Sequence, residues 1–156
     1  MSKFYIDTPF DNLLVFDINK TKIEKITFLD SRVGEAAQGL LKQFVIEVFD
    51  KKDLSVFDYS LLDFDRDKKS FKLYEFLIST RAGETYSYSE SAQKVFGFKK
   101  YARAVAKMLN ANPFIFFVPC HRIVAKNGTG GYAYGVELKI KILKWEDSLN
   151  LCEGEE

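Results

Sequence analysis

The run "PCHRIV" at residues 119–124 sets a thiol, an imidazole and a guanidinium side by side. His121 is the single histidine of the 156-residue chain, and Cys120 is one of two cysteines. A free thiol titrates near about 8.5, so only a few per cent is thiolate at neutral pH. A nucleophilic Cys120 therefore needs a base, and His121 is the candidate. Neighbouring side chains of an extended segment point to opposite faces, so the proton would have to cross a bridging water. His121 would in turn need a carboxylate to hold its tautomer and stabilise its charged form. Glu146, near the end of the last helical pattern, is a candidate on chain order alone. The competing reading is a buried thiol behaving as a small hydrophobe. That suits a cysteine just after the apolar run "FIFFV" at 114–118. The residues alone leave both readings open.

Other chemistries fit less well. A cysteine protease needs a histidine approaching from elsewhere in the fold, and there is no second one. A zinc site would have to combine Cys120, His121 and the distant Cys152, which lack ligand spacing. "NGTGG" at 127–131 does not lead from a strand into a helix as a phosphate loop does. No metal and no cofactor is expected.

These residues must be positioned by a fold. The first thirty residues read as short strands, "KFYID", "NLLVFDI" and "KIEKITFL", separated by the turn sequences "TPFDN" and "NKTK". They predict an antiparallel meander of three strands. Helical spacing follows over 31–53, with Val33, Ala36, Ala37, Leu40, Leu41, Phe44 and Val45 on one side and Ser31 as N-cap. The charged stretch 57–70 marks a boundary, giving domains 1–68 and 69–156. A helix is expected over 69–80, with Ser70 as cap and Phe71, Tyr74 and Leu77 aligned. "RAGETYSY" reads as a turn and then an extended stretch. "SESAQKVFG" is a short helix with Ser89 as N-cap and Gly97 just past its end. "KKYARAVAKMLNAN" is a second, ended by Pro113. Together they make a helix-turn-helix pattern whose second helix is basic. "FIFFV" is read as a buried strand and "AKNGTGGYAYG" as a loop. The last helix begins at Val136, with Val136, Ile140 and Leu143 as its core stripe. The tail "CEGEE" is expected to fray.

Charge is uneven along the chain. Residues 1–68 hold 10 basic and 13 acidic side chains, while residues 69–156 hold 13 and 9. Within 81–126 there are 8 basic residues against 2 acidic ones. A local excess of that size suits a polyanion. No apolar run is long enough to span a membrane, the N-terminus lacks a signal-peptide apolar region, and the cysteines form no secreted framework. A cytoplasmic, monomeric protein is expected.

"VPCHRIV" resembles the active-site signature of the O6-alkylguanine-DNA alkyltransferases, which repair DNA by direct reversal. "GETYSY", "ARAVAKMLNANP", "GGYAYG" and the final "LKWE" are similar in order and spacing, so the resemblance covers residues 69–147. It implies an α/β two-domain fold: an RNase H-like N-terminal domain of three antiparallel strands plus a helix, and a mostly helical C-terminal domain with a helix-turn-helix. It implies that Cys120 takes an alkyl group from guanine O6 in double-stranded DNA and is consumed. His121 would act through a water, Glu146 would orient it, and Asn112 would brace the active-site turn. Tyr88 would donate to guanine N3 of a flipped-out nucleotide. Arg103 would fill the stack, with Ala102 among the small residues that let the helix approach DNA in the minor groove. Carbonyls of Val118 and Cys120 would recognise the guanine amine, and Tyr132 would wall the pocket. Ala133 stands where many relatives carry serine, leaving its backbone N–H to reach O6. Tyr134 would add bulk near the pocket. The resemblance also leaves two rivals, a non-catalytic alkyltransferase-like damage binder and an alkylation-sensing regulator. Cys120 argues against the first, and the short chain leaves no extra domain for the second.

Overall fold

The computed structural model describes the backbone of residues 2–154 and the side chains of residues 2–147. The chain folds as two compact units. The first comprises residues 1–64 and 113–117, the second residues 65–112 and 118–156.

In the first unit, β1 (Ser2–Asp7), β2 (Leu13–Asn19) and β3 (Lys22–Leu29) form the expected antiparallel meander. A fourth strand, β4 (Glu35–Ala36), pairs parallel to β1, so the sheet is mixed, with order β3-β2-β1-β4. This corrects the expectation of three strands and of a helix from residue 31. The reason lies at Gly34, whose φ of +79° interrupts a helix and whose missing Cβ would lie 2.1 Å from the Lys3 carbonyl oxygen. Only glycine lets the backbone come this close to β1. The helix α1 (Gly39–Lys51) therefore starts late, with Val45 and Val48 buried.

Residues 113–117, which sequence position assigns to the C-terminal half, pack in this unit instead. Ile26 donates its N–H to the Pro113 carbonyl at 2.7 Å, and Phe114 bridges to Ile26. The segment is not the expected regular strand, because it turns at Phe116, whose φ is +74°. That backbone costs a β-carbon residue roughly 1–3 kcal/mol. Burying the phenyl ring returns about as much. Phe116 and Phe117 are fully buried, and their rings meet Phe10, Phe28, Phe49, Phe16 and Phe57.

The second unit holds α2 (Ser70–Ser79), β5 (Tyr86–Ser87), α3 (Tyr88–Phe96), α4 (Ala102–Asn110), β6 (Ile123–Val124) and α5 (Val136–Gly154). Ser70, the expected cap, is instead the first residue of α2, and the N-cap is Lys69. The N-cap of α3 is Ser87, two residues before the expected Ser89. Ser87 and Glu90 form a reciprocal capping box there, and Gly97 ends the helix. Tyr74 ties α2 to α4 by donating to the Met108 carbonyl at 2.7 Å. β5 and β6 pair in parallel, Tyr86 opposite Ile123 and Ser87 opposite Val124. That pairing sets the start of α3, and so Tyr88, beside the strand that follows Cys120. Among the described residues of α5 the buried ones are Lys139, Ile142 and Glu146 rather than the expected Val136, Ile140 and Leu143. The tail "CEGEE" and Cys152 lie outside the residues whose side chains are described. No described helix is long and apolar enough to cross a membrane.

Candidate active site

Cys120, His121 and Arg122 form one 3-10 turn. The Cys120 N–H donates to the Val118 carbonyl at 2.7 Å, and the Arg122 N–H to the Pro119 carbonyl at 3.0 Å. A turn, not an extended segment, thus carries the thiol and the imidazole. Cys120 is 5% exposed and His121 is wholly buried.

His121 Nε2 donates to Glu146 Oε1 across a very short contact. Glu146 Oε2 accepts from Arg122 Nε at 2.9 Å and from the Gly83 N–H at 3.2 Å. Arg122 Nη1 then reaches the Thr80 carbonyl at 2.8 Å and its hydroxyl at 2.9 Å. Arg122 is therefore a structural tie from the turn to the end of α2. One carboxylate satisfies an imidazole, a guanidinium and a backbone N–H, which is what a buried charge requires.

Titration follows from these contacts. Burial alone would push Glu146 up, but attraction to His121 in its protonated form and to Arg122, with the hydrogen bonds from both, holds its carboxyl down at about 2. Burial lowers His121 against the pull of Glu146, so the ring rests neutral and able to accept a proton. Burial pushes the Cys120 thiol up to about 11, opposed by a hydrogen bond from Asn112 and by the Lys139 charge. The resting thiol is thus almost wholly protonated, and its reaction depends on a base that takes the proton. Both His121 and Glu146 bind protons more readily in the unfolded chain. Stability is therefore expected to fall as the pH drops below about 6.5, and to fall more steeply from about 4.5 toward 2. Urea midpoints measured at descending pH check this, and a midpoint unchanged between pH 7 and 4 would contradict it.

Cys120 lines a cavity of about 80 Å³ with Tyr88, Ala106, Leu109, Asn110, Gly131, Tyr132 and Ala133. Tyr88, Cys120, Tyr132 and Ala133, four of the candidate site residues, thus line one cavity. Tyr134 is not in that wall. It is 37% exposed and its ring stands 6.3 Å from that of Tyr132. The Tyr132 hydroxyl is buried with no hydrogen-bond partner among the described residues. Leaving it so costs about 1–3 kcal/mol, which a polar ligand atom would relieve. Arg103 is exposed on α4 and Ala102 half-buried beside it, both outside the cavity wall.

Asn112 donates from its carboxamide to the Val118 carbonyl at 3.0 Å, joining the two ends of the 113–117 excursion. Together with the Cys120 N–H, this takes both lone pairs of that oxygen. The Val118 carbonyl oxygen, expected to meet a base amine, thus already accepts two internal hydrogen bonds.

Lys139 and Asn110 carry no expected role from the sequence, while Ala106 and Leu109, expected only on the faces of α4, also line the cavity. Lys139 is 1% exposed, and its ammonium donates to the Ile123 carbonyl at 2.6 Å and to the Gly131 carbonyl at 2.9 Å. It ties the glycine-rich loop to the strand after the nucleophile. The spacing 139, 142, 146 was a legible signal, since a charged residue at each end of one helical face asks for internal partners.

Known proteins share both the sequence and the fold. A family model described as 6-O-methylguanine DNA methyltransferase, DNA binding domain, matches residues 70–148. A probable methylated-DNA–protein-cysteine methyltransferase of Acanthamoeba polyphaga mimivirus is 35% identical, covering 85% of this chain and 87% of the relative. A methylated-DNA–protein-cysteine methyltransferase of Metallosphaera sedula is also 35% identical, over 81% and 83%. The crystal structure of Mycobacterium tuberculosis OGT in complex with DNA superposes with a TM-score of 0.76 at 24% identity, over 95% of this chain and 94% of that one. The O6-methylguanine-DNA methyltransferase of Pyrococcus kodakaraensis superposes with a TM-score of 0.72 at 22% identity, over 93% and 98%. These two structures bear on the fold, which is α/β. With a family model spanning half the chain and relatives above 30% identity over four-fifths of it, this chain belongs to the methylated-DNA–protein-cysteine methyltransferase family.

Proposed function

We propose that this protein repairs O6-alkylguanine in duplex DNA by moving the alkyl group onto Cys120. The observation that carries the reading is a thiol in a cavity wall, with a buried carboxylate bonded both to the imidazole of the same turn and to Arg122. His121 takes the thiol proton through a water. The sulfur attacks the alkyl carbon, an S–C bond forms, and the C–O6 bond breaks with its electron pair passing to the purine. The Tyr88 hydroxyl donates to N3 as that negative charge develops. The carbonyl of Cys120 takes the guanine amine, and the Ala133 N–H takes O6. The product thioether has no route back to a thiol, so each molecule acts once. The protein needs no cofactor or metal in this scheme, and works as a monomer in the cytoplasm.

The first unit is read as RNase H-like, and α3 with α4 as a helix-turn-helix that takes the duplex. The substrate atom lies inside the base stack, so the nucleotide is flipped out, with Arg103 in its place. The cavity of about 80 Å³ is the volume of two to three waters. A methyl group is accommodated, but a purine enters only as the loop wall around 130–133 yields.

The test is to incubate the protein with duplex carrying O6-methylguanine and map its peptides by mass. One methyl on the Cys120 peptide is expected. Tight binding without a mass change would favour a damage binder instead.

Two variants probe the wall and the helix. Gly130 has φ +70°, and a Cβ there would stand 2.9 Å from the Tyr88 hydroxyl and 3.1 Å from the Ala125 nitrogen. Gly130→Ala is expected to displace Tyr88 and slow transfer at least tenfold, measured by single-turnover kinetics; an unchanged rate would remove Tyr88 from the mechanism. Arg103→Ala is expected to slow repair of duplex far more than transfer from the free base, and equal losses on both would remove its flipping role.

A further inference from the structure

The turn joining α3 to α4 carries a feature that alkyl transfer leaves unused. Phe98 stands there 57% exposed. Single exposed apolar residues are ordinary, but Phe98 is not single. Its ring lies 6.1 Å from that of Tyr101, which stacks on Phe96 at 5.5 Å. Lys69 sits over the Tyr101 ring at 5.2 Å and donates to its hydroxyl at 3.2 Å. The exposed ring is thus backed by a fixed aromatic stack.

Its neighbours are cations. Residues 94–107 contain Lys94, Lys99, Lys100, Arg103 and Lys107 and no carboxylate. Lys99, Lys100, Arg103 and Lys107 are exposed, and none of them is in an ion pair among the described residues. Lys100, Arg103 and Lys107 follow at three- and four-residue steps, so they run as one stripe from the turn along α4. Uncompensated cations in a row suit a phosphate backbone. An aromatic ring at the head of that row suits the other chemistry of nucleic acid, the faces and edges of bases, as stacking platforms and wedges do.

We propose that Phe98 is a DNA contact of this chain, an aromatic wedge that packs against a base step while the cation stripe of α4 holds the phosphates. The inference rests on the reading of α3 and α4 as the duplex-binding face. Its consequence is an affinity component that salt does not screen, since no counterion is released when a ring meets a base.

The experiment measures binding of a short labelled duplex by fluorescence anisotropy over a salt series, using the intact protein and three variants. Phe98→Ala is expected to weaken binding about tenfold, within the range of one base–aromatic contact, and to leave the salt slope as in the wild type. Phe98→Trp is expected to restore the affinity. Lys100→Ala is expected to lower the salt slope by about one. The proposal is overturned if Phe98→Ala binds as the wild type does, or if it flattens the slope as Lys100→Ala does. It is also overturned if the free protein self-associates in sedimentation and Phe98→Ala abolishes this, which would make the ring a contact for a second copy. A wild-type protein without affinity for duplex overturns the α3–α4 reading as well, and is recognised before any variant is compared. The ring is exposed, so the unfolding midpoints of both Phe98 variants should match the wild type.

Discussion

Glu146→Ala is expected to lose about 3–5 kcal/mol of folding stability, the cost of leaving a buried charge without its partner. Glu146 is 1% exposed, and its two oxygens serve His121, Arg122 and the Gly83 N–H. Removing it strands a guanidinium that is 2% exposed and an imidazole that is fully buried. Among the described residues, Arg122 would keep only its two bonds to Thr80. The lost tie loosens the 120–122 turn, and His121 loses the group that fixes its tautomer. Alkyl transfer should fall with stability. Glu146→Gln separates the two effects, since it retains volume and one acceptor but no charge. It should regain part of the stability and little of the activity. Urea melts and single-turnover rates measure both. An alanine variant within about 1 kcal/mol of the wild type would mean that the network does not bear on the fold.

Cys120→Ser is expected to abolish transfer while leaving the protein folded. The hydroxyl occupies nearly the same space and keeps a partner in Asn112, so the unfolding midpoint should move little. An alcohol is far less acidic and less nucleophilic than a thiol, and burial that already raises the thiol to about 11 raises an alcohol further. O6-methylguanine should persist in the duplex and no peptide should gain mass. Transfer retained by the serine variant would place the acceptor on another residue.

How legible these features are depends on the range of the interactions that make them. Strands β1 to β3 are written in local alternation and turn residues, and the structure keeps them. The helix expected from residue 31 fails because the deciding contact, Gly34 against the Lys3 carbonyl, joins positions remote in sequence. The α3 cap is misplaced by two residues because Ser87 and Ser89 are both plausible caps. Glu90 chooses between them by closing the box on Ser87. The stripe on α5 is read one step round the helix, since apolar periodicity favours Val136, Ile140 and Leu143. Lys139 and Glu146 face inward because carbonyls, an arginine and a histidine await them.

The candidates for chemistry around residue 120 lie in the sequence itself. A lone histidine beside a cysteine, a basic helix pair and a final glutamate limit the reaction to few kinds, because residue type alone decides which groups can attack, accept a proton or hold a phosphate. Tertiary structure decides the rest. It makes the thiol and imidazole share a turn, gives Arg122 its role as a tie to Thr80, and occupies the Val118 carbonyl with internal donors. Those outcomes depend on distances between residues 24 to 63 positions apart in some cases, such as Arg122 to Glu146 and Gly83 to Glu146. Hydrogen bonds act only within about 3 Å, and no local pattern reports when such distant groups come that close.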